Sequence, residues 1–160
     1  MSDLPTDPKI AAWVCLVRTS AVLLSDIRAD VKAAGFPPLE WYDVLWELER
    51  APEGAWRPVE LEGRLLLAQY NLSRLVDRLA QAGYLTKHRC DRDGRGQVLV
   101  LTEEGKALRQ RMWRVYSAAI ERHVGSRLTE DEARSLCQLL VRLQERGSGE
   151  PLEGAPSQCG

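Results

Sequence analysis

Apolar positions recur at helical spacing in six stretches of the chain and alternate around one charged turn. Ile10, Trp13, Val14, Val17, Ala21, Leu24, Ile27 and Val31 follow helical spacing, each within three or four residues of another on one helix face. Asp7 can cap free amides and Pro8 suits a first helical position, so a helix is predicted over 8–34. Leu16, Val22 and Leu23 spread its apolar surface further round the cylinder than one neighbour covers. Gly35 stops it and Pro37-Pro38 turn the chain, which predicts a second helix over 39–50 with Trp41, Val44, Leu45 and Leu48 inward.

Pro58 opens a short helix to about residue 65, and a fourth, over 69–82, follows almost at once. Leu72, Leu75, Val76, Leu79 and Ala80 form its inward stripe, leaving Gln69, Tyr70, Ser73, Arg74, Asp77 and Gln81 on or near the outer face. Gly83 ends that helix. Segments 84–89 and 97–101 read as two strands around the turn Asp91-Arg92-Asp93-Gly94-Arg95-Gly96. Thr102, Glu103 and Glu104 start a helix that reaches about residue 124, with Leu108, Met112, Val115 and Ala119 on one face. Thr129 and Glu132 form a capping box for a last helix to about residue 146, striped by Leu136, Leu139, Leu140 and Leu143. Segment 147–160 is too poor in apolar residues to fold and is expected to be a disordered tail. The fold class is mostly α with a small β-hairpin.

Composition narrows the classes. With 160 residues, 44% of them hydrophobic and 28% charged, the chain suits one globular domain that buries a core without disulfides. Its longest clear apolar run, Ile10 to Val17, is shorter than the roughly 20 residues of a transmembrane helix, and residues 1–9 lack a signal peptide's cationic start. No membrane association and a cytoplasmic location are therefore expected. Cys15, Cys90, Cys137 and Cys159 contain no CxxC pair and read as reduced thiols. The formal net charge of -1 excludes a globally basic nucleic-acid coater, yet residues 64–95 carry 7 basic and 3 acidic side chains, against 6 and 11 in residues 1–63. Phosphate contact depends on the cations facing the backbone rather than on total charge. A solvated helix face beside an arginine-rich hairpin shows the same excess, so charge alone decides nothing.

Order and chemistry together say more. A helix-turn-helix followed by a two-stranded hairpin can place one helix in the DNA major groove while the hairpin reaches neighbouring backbone or minor groove. The amide, guanidinium and hydroxyl groups on the outer face of the fourth helix are those that read bases and phosphates. The stretch Asn71 to Gly105 closely resembles the multiple-antibiotic-resistance regulator (MarR) family of winged-helix transcription factors. The phrases that carry the likeness are Ser73-Arg74-Leu75-Val76-Asp77-Arg78-Leu79, the pair Asp93-x-Arg95, and Val98-Leu99-Val100-Leu101-Thr102-Glu103-Glu104-Gly105.

The resemblance extends over most of the chain. It implies a winged helix-turn-helix lobe over 39–102 and a helical dimerisation region over 8–34 and 103–146. It further implies a homodimer on a pseudo-palindromic double-stranded DNA operator, acting as a repressor that a small aromatic or anionic effector, or oxidation, releases. The DNA-binding set is Gln69, Tyr70, Asn71, Ser73, Arg74, Arg78, Arg89, Arg92 and Arg95, with Asp93 bracing the wing. Leu66 and Ala68 replace the glycine and capping serine common in relatives, so the recognition helix can start differently. Gly96 stands where a second wing arginine is frequent, which leaves Arg95 as the leading minor-groove residue.

Other readings compete residue by residue. Trp13, Arg18, Trp41, Tyr42 and Trp46 fall on the first two helices, where the family's ligands lodge, and are candidate effector contacts; tryptophans are equally ordinary core. Cys15 lies near the place where peroxide-sensing members keep a reactive cysteine, and is the redox candidate against a plain buried thiol. His88 and Cys90 make one adjacent pair without further ligands, so no metal site is expected, and no cofactor either. No GxSxG, HExxH, P-loop or dinucleotide-binding pattern occurs, which argues against an enzyme. A winged helix used only for protein contacts is the remaining alternative.

Overall fold

The structure is a computed structural model, which describes residues 4–52, 54–65, 71–90 and 96–144. Its elements are α1 (Pro8–Ala33), α2 (Leu39–Glu49), β1 (Ala55–Trp56), α3 (Pro58–Glu62), α4 (Leu72–Gln81), β2 (Leu85–Cys90), β3 (Gly96–Leu101), α5 (Glu103–His123), a 3-10 turn (Gly125–Arg127) and α6 (Glu130–Gln144). The capping residues act as their chemistry requires. Asp7 accepts from the amide of Lys9 at 2.8 Å, Thr102 from Gly105 at 3.0 Å, and Glu132 accepts from the amide of Thr129 at 2.8 Å. These bonds satisfy or brace helix-end amides that have no partner inside the helix. Helix α1 closes with Gly35 at φ +77°, while the amides of Gly35 and Phe36 donate to the carbonyls of Lys32 and Val31. Only glycine takes that left-handed turn without steric cost.

One element escapes the alternation test. Two residues, Ala55 and Trp56, pair antiparallel with Val100 and Leu99, so the expected hairpin is a three-stranded sheet in the order β1-β3-β2. Strand β2 runs against β3 from Leu85↔Leu101 to Cys90↔Gly96. A two-residue strand has no period to read. The indole N–H of Trp56 donates to the carbonyl of Glu47 at 2.8 Å, which ties β1 to the end of α2.

The core joins α2, α3, α4, the sheet and α5 through Val44, Leu45, Leu48, Leu61, Val76, Leu79, Leu85, Leu99, Leu108 and Met112. Two outcomes differ from the expected stripes. On α2, Glu40 and Asp43 are buried as well as the apolar residues, and Arg28 of α1 meets Glu40 at 2.8 Å. On α1 only Ile27 and Val31 are buried. Trp13 is 64% exposed, and Leu139 and Leu143 of α6 are 56% and 72% exposed. The apolar faces of α1 and α6 thus find little cover within a single chain.

The expectation that no segment is apolar and long enough for a membrane is corrected. Helix α1 passes that test by length and composition, with 6% of its most apolar window buried. An unbroken run was the wrong measure, because Ala, Ser and Thr between Val17 and Ile27 keep the stretch apolar across its single arginine and aspartate. Core helices of soluble proteins also pass such a test.

Candidate nucleic-acid interface

Helix α4 starts at Leu72 with Asn71 as its cap, whose side-chain oxygen accepts from the amide of Arg74 at 3.2 Å. This corrects the expected start at residue 69. The short Asn71 side chain reaches forward to the third amide of the helix, which commits its carbonyl oxygen to the cap. Val76 and Leu79 lie buried, Leu72, Leu75 and Ala80 pack partly against the core, and Ser73, Arg74, Asp77, Arg78 and Gln81 are exposed. Both arginines, Arg74 and Arg78, therefore stand on the solvent side of the helix.

Strand β2 continues this surface. Alternation puts Leu85, Lys87 and Arg89 on one face of the strand and Thr86 and His88 on the other, and the 2.9 Å contact between Thr86 Oγ1 and His88 Nε2 agrees. Lys87 pairs with Asp77 of α4, so the face that carries exposed Arg89 is the face turned toward α4. Four residues read from the sequence, Ser73, Arg74, Arg78 and Arg89, thus lie on neighbouring elements. Between α3, α4 and the sheet runs a groove of about 510 Å³ whose lining includes Val59, Asn71, Ser73, Asp77, Lys87 and Gln97. Gln69, Tyr70, Arg92, Asp93 and Arg95 lie outside the described residues.

A joint holds α4, the sheet and α5 in fixed relation. The Thr102 hydroxyl donates to the carbonyl of Gly83 at 2.8 Å, its amide donates to the carbonyl of Tyr84 at 3.2 Å, and Gly105 lies against the same Tyr84 carbonyl. The absence of a side chain at Gly105 is what admits this approach.

The second candidate set divides. Trp41 packs edge-on to Tyr84 at 5.9 Å. Tyr42 is buried and stacks with Trp46 at 6.3 Å and Trp113 at 5.9 Å, with Tyr116 edge-on at 5.2 Å. Trp13 and Arg18 are exposed on α1, and no described ring or ion contact joins them to that cluster. Trp113, which the sequence offers with the other tryptophans as a cleft or core residue, joins the cluster from α5 some seventy residues away; sequence reading missed Tyr116 and Arg109, which α5 also supplies. Arg109 lies 5.2 Å from the Trp46 ring and its Nε 2.7 Å from Glu49; that N–H points off the line to the carboxylate and makes an ion pair without an aligned hydrogen bond. Burial pushes the Tyr42 hydroxyl above its ordinary pKa, partly countered by Arg109. Burial, then the charge of Asp43, raises that of Tyr116. The cluster is aromatic, with the cations Arg50 and Arg109 both over the Trp46 ring and the carboxylate of Glu49 paired to Arg109, an arrangement that offers ring faces and guanidinium groups together.

Cys15 and Cys137 are free and exposed within the single chain, Cys15 on a face of α1 that this chain leaves uncovered. Among the described residues no group of three His, Cys, Asp or Glu side chains is placed to hold a metal ion.

Comparison with known proteins points the same way. Residues 34–96 match the model of the MarR family. The chain is 28% identical over 118 residues to YkoM, an uncharacterized HTH-type transcriptional regulator of Bacillus subtilis (strain 168), covering 74% of this chain and 72% of that one. Its fold is similar to that of Sco3205, a MarR family transcriptional regulator from Streptomyces coelicolor solved in complex with DNA, with a TM-score of 0.77, 24% identity and 94% of each chain covered. It is also similar to Bordetella bronchiseptica BpsR, whose DNA binding is regulated by 6-hydroxynicotinic acid, with a TM-score of 0.72, 19% identity, and 84% and 98% of the two chains covered.

Proposed function

We propose that this chain is a winged-helix regulator of the MarR family, which its likeness to that family's model over residues 34–96 supports, and that it regulates transcription as a homodimer bound to a pseudo-palindromic DNA operator, as a repressor released by a small aromatic or anionic effector. The observation that carries the reading is the shared surface of α4 and β2, where exposed Arg74, Arg78 and Arg89 stand beside Ser73 and Asn71. A helix with this outer face, in a winged helix-turn-helix order, is suited to major-groove docking. Residues 39–102 form the DNA-binding lobe. Gln69, Tyr70, Arg92 and Arg95 complete its DNA contacts, and Asp93 braces the wing.

Residues 8–34 and 103–146 form the dimerisation region. Its support is the uncovered apolar surface of α1 and α6, including Ile10, Trp13, Val17, Leu136, Leu139 and Leu143, more than a lone chain of this size ordinarily exposes. A second copy covering α1 also accounts for its membrane-like composition, and the operator places the protein in the cytoplasm. The regulator reading assigns no catalysis to any residue. Tyr42 and Trp46, with Trp113 and Arg109, are effector contacts in this reading, and a dimer partner brings Trp13 and Arg18 toward ligand.

The test is DNA retention by Arg74→Ala and Arg95→Ala across a salt series. Each variant should keep the parent's fold, bind a verified operator more weakly, and show a shallower salt slope, because each lost phosphate contact removes about one released counterion. Unchanged affinity in both would remove this surface from the account. A redox reading is favoured by one observation, the exposed thiol of Cys15: peroxide should then release DNA from the parent and not from Cys15→Ser.

A further inference from the structure

We infer that the turn between α1 and α2 holds an anion site for a compact hydrophobic carboxylate, separate from the aromatic cluster on α2 and α5. A cavity of about 400 Å³ opens there, lined by Phe36, Pro37, Pro38 and Leu39 on the turn and by Arg28, Lys32 and Glu40. That volume suits a ligand of one ring or a short branched chain. Its walls are largely apolar, and its charged groups are two cations and one anion.

The charges are not equivalent. Glu40 is buried and already met by Arg28 Nη2 at 2.8 Å. Arg28 Nε is buried without an acceptor, and the Arg28 side chain as a whole is 40% exposed. The guanidinium thus has donors beyond the one that Glu40 occupies, and a small rotation offers its free edge to a second anion while Glu40 stays paired. Lys32 lies one turn further along α1, on the same face by its i, i+4 spacing. It is exposed and has no carboxylate partner among the described residues. A carboxylate seated between Arg28 and Lys32 lays its apolar body on Phe36 and the two prolines.

The surroundings are firm enough to select a ligand. The amides of Gly35 and Phe36 are fixed on the last turn of α1, and both prolines have restricted backbones. Occupancy bridges α1, which the regulator reading assigns to dimerisation, with α2, which opens the DNA-binding lobe. A ligand that binds one angle between them better than another shifts the spacing of the two lobes in a dimer. That consequence rests on the regulator reading, whereas binding at the turn does not.

The experiment titrates the full-length protein, without DNA, with benzoate and cyclohexanecarboxylate by calorimetry, and follows amide shifts in parallel. Benzamide serves as the uncharged match. We expect saturable binding of at least one carboxylate, at least tenfold weaker binding of benzamide, and shifts centred on residues 32–40. Read at the shifts of residues 32–40, Lys32→Met should weaken carboxylate binding about tenfold and Lys32→Glu should abolish it; Lys32 is exposed, so both variants keep the fold. Lys106→Met, which removes an exposed cation remote from the turn, should show the parent's shifts there. No saturable shift at residues 32–40 in the parent, parent-like shifts in Lys32→Glu, or their loss in Lys106→Met would each overturn the site. Failure of the parent to bind any DNA refutes the regulator reading and leaves the turn site to be judged by these titrations alone.

Discussion

Replacing Gly105 by alanine should destabilise the protein even though it puts a better helix former into α5. In a free helix the exchange gains about 1 kcal/mol. Here a Cβ on Gly105 would collide with the carbonyl oxygen of Tyr84 and come within 2.7 Å of Leu101 Cδ1. The leucine can change rotamer, but the carbonyl belongs to backbone held by the Thr102 amide, so relief requires α5 to move off the base of the sheet. Overpacking of this kind costs about 1–3 kcal/mol, occasionally more, and the move also strains the Thr102–Gly83 hydrogen bond, a further loss of about 1 kcal/mol. The expected balance is a net loss of about 2 kcal/mol, equivalent to a fall in Tm of about 4–8 °C for a chain of this size. Gly125→Ala is the control. A Cβ there meets only the carboxylate end of the Glu121 side chain, which can swing aside, so its stability should stay within about 0.5 kcal/mol of the parent. Thermal and urea unfolding followed by circular dichroism measure both variants. A Gly105→Ala protein as stable as the parent would refute the claim that this close approach locks α5 to the lobe.

Three further outcomes are expected. Leu139→Glu, on the exposed face of α6, should leave the monomer fold intact and weaken self-association at least roughly tenfold in sedimentation, since a two-fold interface meets each substitution twice; an unchanged dimer would move the interface elsewhere. The hydroxyls of Tyr42 and Tyr116 should ionise above the ordinary value in an alkaline titration at 295 nm, because burial disfavours the phenolate; their contribution to stability is then full at neutral pH and disappears as pH rises through the raised values, and two phenols ionising at the ordinary value would contradict the packing. The Glu132 carboxyl should titrate below the usual carboxylate range because it accepts from the amide and hydroxyl of Thr129, so its support of α6 is present above that range and disappears as pH falls through the lowered value; in Thr129→Ala an NMR titration should find it moved back up.

Local features were the legible ones. The caps Asp7, Thr102 and Thr129 depend on a few neighbouring residues, and so does the strand pairing around the charged turn, so chemistry and spacing suffice to find them. The start of α4 was misplaced by three residues because Asn71 reads equally well as a helical residue or as a cap. Strand β1 was invisible because its two residues are defined by their partners Val100 and Leu99. The same reason hid Tyr116 and Arg109: their role depends on α5 crossing α2, a long-range contact that no periodicity encodes. Buried Glu40 defied its place in a polar pattern because Arg28, twelve residues earlier, meets it. The overlong apolar surface of α1 was visible in the sequence, and within the single chain it stays largely uncovered.

Selection of bound fragments from the source genome by the full-length protein, followed by footprinting, tests the central claim most directly. The account expects enrichment of one inverted repeat, protected on one face of the duplex with half-site centres about one helical turn, near 34 Å, apart. Recovery of fragments with no shared repeat, or protection of a single half-site by a monomer, would contradict it.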